Sequence, residues 1–185
     1  DNGYQNIIFL TLDKGIETFC GFPVLFDTKE VVFKLQKDGY CFAIGAGEPQ
    51  VREFIYNKYP NLIYPTLIHS TASIGNFQSQ NIKDIQGTVV AAGCKMTNNI
   101  EVGDYCFFGI NTVIGHDCII EDFVSIMPAA VISGNVHIKT NAYIGCNASV
   151  RQGKKAEKLT IGASSTVGMG AVVLNSVAQN HTALG

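Results

Sequence analysis

The stretch VGDYCF-FGINTV-IGHDCI-IEDFVS, residues 102–125, decides the fold because a large apolar residue opens each group of six. The same register holds at eleven positions: Val90, Met96, Val102, Phe108, Ile114, Ile120, Ile126, Ile132, Ile138, Ile144 and Val150. Glycine or an acidic residue often comes directly after the apolar one, as a tight corner requires. A strand repeats every two residues and a helix every 3.6, so a period of six indicates a strand and a corner in each unit.

Three such units complete one triangular coil of 18 residues, in which residues 18 apart stack at about 4.8 Å. The sequence therefore predicts a mainly β fold, with a parallel β-helix over residues 63–185. Parallel crossovers are usually right-handed because strands twist. The strands of these six-residue units are expected to be flat and untwisted, so we expect a left-handed β-helix. The pattern stops at Val150 and restarts at Ile161, which predicts a five-residue insertion around Lys154 to Lys158. Ile68 and Ile74 are expected to begin the coil.

Residues 1–62 alternate between strand-like and helix-like segments. Strands are expected at 7–10 and 40–45, and helices at 31–36 and 49–59. This alternation predicts a small α/β, Rossmann-like domain. No GxGxxG loop opens it, and its first strand and glycine-rich loop are expected to be absent from this sequence, so the domain is predicted to be partial.

Composition and charge exclude several classes of function. Hydrophobic residues make up 46% of the chain and charged residues 15%, and the net charge is −2. The basic footprint of a nucleic-acid binder is missing. No apolar run approaches the roughly 18 residues of a membrane span, so no membrane partner is expected. The N-terminal residues lack a secretory pattern and the six cysteines contain no CxxC, which predicts reduced thiols in the cytoplasm.

The corner at His116 carries the strongest chemical signal. It follows Ile114 by two residues, and the residue stacked 18 positions later is Gly134. A corner histidine is ordinarily a solvated turn residue, and the same holds for the carboxylate of Asp117. Beside a residue without a side chain, however, a thioester could lie against the backbone. An imidazole can take up a proton near neutral pH, and a fixed amide N–H can stabilise the oxyanion that forms when an amine or hydroxyl attacks a thioester, so the pairing makes chemical sense.

A metal site is not expected. The hexapeptide-repeat carbonic anhydrases share this kind of fold but need three zinc-binding histidines, two of them five residues apart. The histidines of this chain are His69, His116, His137 and His181, which contain no such pair. Cys94, Cys106 and Cys118 occupy one inward position on three different faces, so they are expected to pack in the core.

Three phrases carry a specific resemblance: NTVIGHDC at 111–118, GNVHI at 134–138 and AYIG at 142–145. They are similar to the NeuD-type and PglD-type hexapeptide-repeat sugar acetyltransferases. That family includes sialic acid O-acetyltransferases and the N-acetyltransferases of nucleotide-linked 4-amino sugars. The segments FLTLDKG at 9–15, GFPVL at 21–25 and FAIG at 42–45 resemble its nucleotide-sugar domain. The resemblance covers nearly all of the chain.

The resemblance implies roles for particular residues. His116 is the general base, Asp117 orients or polarises it, and the Gly134 amide contacts the acetyl carbonyl. The other residues implied to bind the coenzyme are Cys146, Gly168, Met169 and Gly170. The residues implied to bind the sugar acceptor are Asp13, Gly45 and Arg52. The lysines of the insertion either meet coenzyme phosphates or form a solvated loop.

The sequence is therefore predicted to encode an acetyl-CoA-dependent acetyltransferase acting on an amino group of a nucleotide-activated sugar. The alternatives are O-acetylation of a sugar or sialic acid, transfer of longer acyl chains from a carrier protein, and a non-catalytic trimeric hexapeptide scaffold. A homotrimer is expected because family members place active sites between subunits and because Phe107 and Phe123 are predicted to be exposed on flat faces.

Overall fold

The structure is a computed structural model that describes residues 3–76, 78, 82 and 84–185. Its first part, up to residue 62, is called the N-terminal unit here. Its strands are β1 (Phe9–Thr11), β2 (Thr18–Phe19) and β3 (Phe22–Phe26), and its helices are α1 (Lys29–Lys37) and α2 (Pro49–Lys58). The sheet order is β1-β3-β2, with β1 parallel and β2 antiparallel to β3. Both helices lie where the sequence predicts them.

Two features of the N-terminal unit differ from the prediction. The segment 40–45 is not a strand: the Phe42 amide donates to the Ile63 carbonyl at 2.8 Å, but among the described residues this contact with a loop does not extend into a ladder. The prediction also lacks the hairpin of β2 and β3. Its two-residue turn is formed by Cys20 and Gly21, whose φ angles of 49° and 81° match the twist of the flanking strands.

The remaining chain winds into a triangular coil of parallel strands with three faces, named here by the strands that the described residues form. The seven-stranded face contains β4 (Leu67–Ile68), β6 (Val89–Val90), β9 (Phe107–Phe108), β12 (Ser125–Ile126), β15 (Tyr143–Ile144), β18 (Thr166–Val167) and β20 (Thr182–Ala183). The six-stranded face contains β5 (Ser73–Ile74), β7 (Lys95–Met96), β10 (Val113–Ile114), β13 (Val131–Ile132), β16 (Ser149–Val150) and β19 (Val172–Val173). The four-stranded face contains β8 (Glu101–Val102), β11 (Ile119–Ile120), β14 (Val136–Ile138) and β17 (Leu159–Ile161).

The register of the coil is the predicted one. Ile126 pairs with Ile144, 18 residues later, and both side chains are completely buried. Each such aliphatic side chain contributes about 1.5–3 kcal/mol to the free energy of unfolding. Val102 is only half-buried and is the weaker member of its ladder. The strands at Ile68 and Ile74 pair with β6 and β7 and begin the coil as predicted.

The corners of the coil share one backbone conformation. The third residue after the buried aliphatic residue has a positive φ, and most of these positions hold residues that tolerate it: Gly93, Asn99, Asn111, Asp117, Asn135, Asn141 and Asn147. Tyr105 and Phe123 occupy two of these positions, where a bulky side chain costs about 1–2 kcal/mol. Their rings stack with centroids 5.1 Å apart and planes 9° from parallel, which offsets part of that cost.

The N-terminal unit packs on the seven-stranded face and on the corners that lead into it. The ring of Tyr56, in α2, lies 4.5 Å from Tyr105 and 5.9 Å from Phe123, measured between centroids. Phe123 is consequently only 8% exposed. The prediction that Phe123 is free for subunit contacts is therefore wrong, because α2 covers it. Phe107 is half-buried.

Across the described parts of the chain, neither helix has the length and apolar character needed to cross a lipid bilayer.

Candidate active site

The candidate site lies at the edge between the six-stranded and four-stranded faces, where β10 turns into β11. His116 stands on this corner with half of its side chain exposed. Its Nδ1 lies 2.7 Å from Oδ2 of Asp117. Because a carboxylate can only accept, Nδ1 carries the proton and Nε2 presents its lone pair. Within the described ranges, Nε2 has no protein partner. The imidazole is thus held in the tautomer that a base needs.

Gly134 is stacked on this corner, as the 18-residue spacing predicts. A β-carbon added to Gly134 would lie 2.6 Å from Nε2 of His116 and 2.7 Å from its Cε1. One added to Gly115 would lie 2.5 Å from the Gly134 nitrogen. Gly115 is therefore required for the main chains of the two coils to approach this closely, whereas the close contact at Gly134 is with the side chain of His116. The imidazole thus lies in the space that a side chain at residue 134 would occupy.

The Gly134 amide is available as a hydrogen-bond donor. No oxygen in the part of the chain that the structure describes accepts from it. The neighbouring Asn135 amide, in contrast, donates to the His116 carbonyl at 2.8 Å. The amide of Ile110, at the equivalent place in another corner, also has no acceptor among the described residues, so the unpaired donor is not unique to Gly134. The corner at Gly134 differs in placing that donor beside an imidazole.

Asp117 is oriented by three groups. Asn99, 18 residues earlier, donates from Nδ2 to Oδ1 of Asp117, which leaves Oδ2 facing His116. The hydrogen bond from Asn99, followed by that from His116, lowers the pKa of Asp117. Lys158 donates from Nζ to the main-chain carbonyl of Asp117. Asn99 is absent from the sequence prediction, although subtracting 18 from 117 would have identified it.

The insertion predicted around 154–158 is a tight turn closed by reciprocal hydrogen bonds between Lys154 and Glu157. Both of its ends are attached to the site. The Gly153 amide donates to the Gly134 carbonyl at 3.0 Å, and the Leu159 amide donates to the Asn135 carbonyl at 3.2 Å. The turn therefore rises directly above the corner of Gly134, and its exposed lysines border the site.

The other residues predicted to bind the coenzyme lie on a different edge. Cys146 follows β15, and the Gly170 amide donates to its carbonyl at 2.8 Å. Gly168 and Met169 complete this second edge, between the seven-stranded and six-stranded faces, and Met169 is 78% exposed. Within one chain, the six-stranded face separates them from His116. The structure thus brings together His116, Asp117 and Gly134, but not the remaining coenzyme residues.

The three residues predicted to bind the acceptor behave differently from one another. Asp13 follows β1 and Gly45 ends the extended segment before α2, and both are exposed. Arg52 is only 1% exposed, and its guanidinium donates to carbonyl and hydroxyl oxygens of the chain itself. The prediction that Arg52 contacts substrate is corrected: its donors are already used inside the protein.

Besides the corner of His116, the described chain contains a groove and a set of buried cysteines. A shallow groove of about 380 Å³ runs along the four-stranded face. Its lining residues include Glu101, Ile119 and Glu121, and His116 and Gly134 are not among them. The described residues contain no group of three or more His, Cys, Asp or Glu side chains that could hold a metal ion. Cys94, Cys106 and Cys118 are buried in the coil as predicted, and burial raises the pKa of each thiol.

Comparison with known proteins identifies the family. No protein-family profile matches the chain. Over 77 residues, 42% of this chain and 35% of the relative, it is 37% identical to the GDP-perosamine N-acetyltransferase of Escherichia coli O157:H7. The matched stretch thus spans about a third of that relative's length.

Two solved structures extend the comparison to nearly the whole chain. WeeI from Acinetobacter baumannii AYE is 30% identical, with a TM-score of 0.72 over 96% of this chain and 82% of that one. The acetyltransferase domain of PglB from Neisseria gonorrhoeae FA1090, solved in complex with acetyl coenzyme A, is 27% identical, with a TM-score of 0.79 over 97% and 83%. Together with the parallel coil, these relatives show that the chain belongs to the hexapeptide-repeat sugar N-acetyltransferases.

Proposed function

We propose that this chain transfers the acetyl group of acetyl-CoA to the amino group of a nucleotide-activated 4-amino sugar, with His116 as the general base. The observation that carries the proposal is the corner itself: Nε2 of His116 is unpartnered within the described residues and faces Gly134, while Asp117 holds Nδ1. The names of the relatives support the substrates, since one acts on GDP-perosamine and another was solved with acetyl coenzyme A.

The chemistry follows from these positions. The sugar amine attacks the thioester carbonyl carbon, and Nε2 of His116 takes the proton that the amine loses. The Gly134 amide donates to the carbonyl oxygen as negative charge develops on it. A C–N bond forms, the C–S bond breaks, and the proton passes from His116 to the departing thiolate. Asp117 keeps the imidazole oriented and stabilises its protonated form.

The residues at this corner fit a thioester. Any side chain at position 134 would collide with the imidazole, and the Gly134 amide has no acceptor within the described chain. The exposed lysines of the 154–158 turn stand above the same corner, where they would meet the phosphates of the coenzyme. Gly168, Met169, Gly170 and Cys146, on the second edge, would contact its pantetheine arm, by resemblance to the family.

We further propose that the active enzyme is a homotrimer. The six-stranded face lies between the two edges that carry the site residues, and its outward side chains Val131 and Val172 are 39% and 59% exposed. The N-terminal unit sits on the seven-stranded face, which is opposite the edge of His116. An acceptor held at Asp13 and Gly45 is therefore better placed to meet the His116 of a neighbouring copy, and apolar faces of this kind support such an association.

The proposal includes left-handed winding of the coil and a partial Rossmann-like α/β architecture for the N-terminal unit, as the resemblance implies. It also includes a cytoplasmic location. All six cysteines are free, which supports a reducing compartment.

The test is a screen of acetyl-CoA turnover by the full chain, with acetylated products identified by mass spectrometry. The acceptors are GDP-linked and UDP-linked 4-amino sugars, the matching 4-hydroxy sugars and free sialic acid. We expect product only from the amino sugars, and we expect His116→Ala to lower turnover by about 10²–10⁴ without loss of folding, because the side chain is half exposed. Product from the hydroxy sugars alone, or full activity in His116→Ala, would overturn the proposal.

A further inference from the structure

Arg52 forms an unusual contact between α2 and the coil. The side chain is 1% exposed, yet among the described residues it pairs with no carboxylate. Its acceptors are the carbonyl oxygens of Tyr105 (2.9 Å), Phe123 (2.7 Å), Val124 (3.1 Å), Ala46 (3.0 Å) and Gly47 (3.0 Å) and the hydroxyl of Ser125 (2.9 Å). We call this set of oxygens the Arg52 cage. Every guanidinium nitrogen has at least one partner in it.

A buried charge without a counter-charge is costly, and burial accordingly lowers the pKa of Arg52. The cage compensates with six oxygen acceptors, each within 3.1 Å of a guanidinium nitrogen. The main effect of such an arrangement is to select one geometry and not to stabilise the fold. A planar fork with five donors fits only one placement of its acceptors. A residue serving only to fill space at this point would be apolar. The buried, fully hydrogen-bonded guanidinium of Arg52 is therefore suited to positioning.

The cage joins two parts of the molecule that the proposed reaction must keep in register. On one side are the strained corners of Tyr105 and Phe123, which belong to the coil. On the other are Ala46 and Gly47, which directly follow Gly45. Ser125 reinforces the link, because its hydroxyl donates to the Gly47 carbonyl at 2.6 Å. The loop 45–47 is thus fixed to the seven-stranded face through main-chain atoms.

We propose that Arg52 is a positioning residue that holds the 45–47 loop at a fixed place on the coil, so that the nucleotide-sugar acceptor bound there is presented correctly to the acetyl-transfer corner. This inference rests on the proposed function. Arg52 acts through the loop and does not touch substrate. Loss of the cage should therefore weaken use of the acceptor and leave use of acetyl-CoA unchanged.

The kinetic test compares Arg52→Ala and Ser125→Ala with the parent enzyme at a temperature where all three are folded. We expect the KM for the nucleotide sugar to rise about tenfold in Arg52→Ala and about threefold in Ser125→Ala, with the KM for acetyl-CoA within twofold of the parent value. The control is Glu53→Ala, which removes a single bond to Asn141 between the same two parts of the molecule and should leave both KM values within twofold. A matching rise in both KM values, or no rise, would overturn the inference.

Chemical rescue separates positioning from general destabilisation. Guanidinium ion at low, non-denaturing concentration should bind in the cage of Arg52→Ala and lower the KM for the nucleotide sugar most of the way to the parent value. Urea at equal concentration should not lower it. If both additives act alike, the cage is not a specific guanidinium site and the inference fails.

A measurement without catalysis keeps this test independent of the proposed function. Backbone ¹⁵N order parameters of residues 45–47 should fall from about 0.85 to below about 0.6 in Arg52→Ala, while those in β12 stay unchanged. If no acceptor is turned over but the order parameters of the loop fall, the proposed function fails and the fixing of the loop by Arg52 stands. Unchanged order parameters of the loop would exclude the positioning role.

Discussion

The imidazole of His116 lies against the α-carbon of Gly134, so that a β-carbon at residue 134 would be 2.6 Å from Nε2. Gly134→Ala should therefore push the ring out of line and lower turnover by about 10²-fold. The backbone at Gly134 does not need glycine for its φ, and the three atoms nearest to the added β-carbon all belong to the movable side chain of His116, so the melting temperature should change little. The double variant with His116→Ala should lose no more activity than His116→Ala alone. Additive losses would show that Gly134 acts independently of the imidazole.

Asn99 should be needed for full activity although it touches no substrate. Asn99→Gly keeps the positive φ without strain and removes the donor to Asp117. The pKa of Asp117 should rise, because a hydrogen bond that favours the charged form is lost, and the carboxylate is then free to turn away from His116. We expect turnover at neutral pH to fall about threefold to tenfold. Asn147→Gly, at a corner on another edge, is the matched control and should leave turnover unchanged.

Ile126→Asp should unfold or precipitate the protein. The side chain is completely buried between Phe108 and Ile144, and an unpaired carboxylate there costs several kcal/mol, on the order of 3–5. Ile110→Asp is the comparison, because Ile110 is 53% exposed and the same change there should cost under about 1 kcal/mol. Chemical denaturation of both variants measures the difference. Equal stability of the two variants would contradict the register of the coil.

Glu121 should make the stability of the coil depend on acid. Burial alone would raise the pKa of Glu121, but hydrogen bonds from Lys139, Thr140 and His137 outweigh it and bring the pKa to about 2. A depressed pKa means that the contribution to stability is complete above the ordinary value of 4.5 and is lost as the pH falls from there toward 2. Glu121→Gln should be less stable at pH 7 and show a flatter decline between pH 4.5 and 2. Glu101→Gln, at an exposed position on the same face, should follow the parent curve.

The proposed trimer predicts a mass near three times 19.9 kDa in light scattering. Val131→Lys places a charge in the middle of the exposed apolar side chains of the six-stranded face and should shift the mass toward that of the monomer. Thr160→Lys places the same charge on the four-stranded face and should leave the trimer intact. A monomeric parent protein would contradict the assembly and the sharing of the site between copies.

The sequence predicts the coil well because its signal is local and repeated. Each buried aliphatic residue lies six positions after the previous one. The stacking of Gly134 on His116 follows because the two residues are 18 positions apart, which is one full coil. The contacts of the N-terminal unit carry no such period. The Arg52 cage is built from main-chain oxygens, which every residue type possesses, so no side-chain pattern reveals it. The burial of Phe123 depends on where α2 lies, and that placement is a long-range property.

The remaining misses have local causes. The turn of Cys20 and Gly21 lacks the Asn-Gly or Asp-Gly pair that usually marks a two-residue hairpin. The apolar segment at 40–45 has the composition of a strand, but its main-chain partner is a loop at Ile63. Composition alone does not say whether an extended segment finds a neighbouring strand.

The turn at 154–158 lengthens one coil by five residues, yet Leu159 pairs with Val136 and the strands above it continue in register. The ladder therefore does not transmit a change in chain length made at a corner. Corners become places where segments can be exchanged as modules, because the aliphatic positions on either side keep their partners. Grafting a different sequence between Gly153 and Lys158 would change what borders His116 while the scaffold stays the same, which makes this turn a suitable starting point for redirecting the enzyme to other acyl donors.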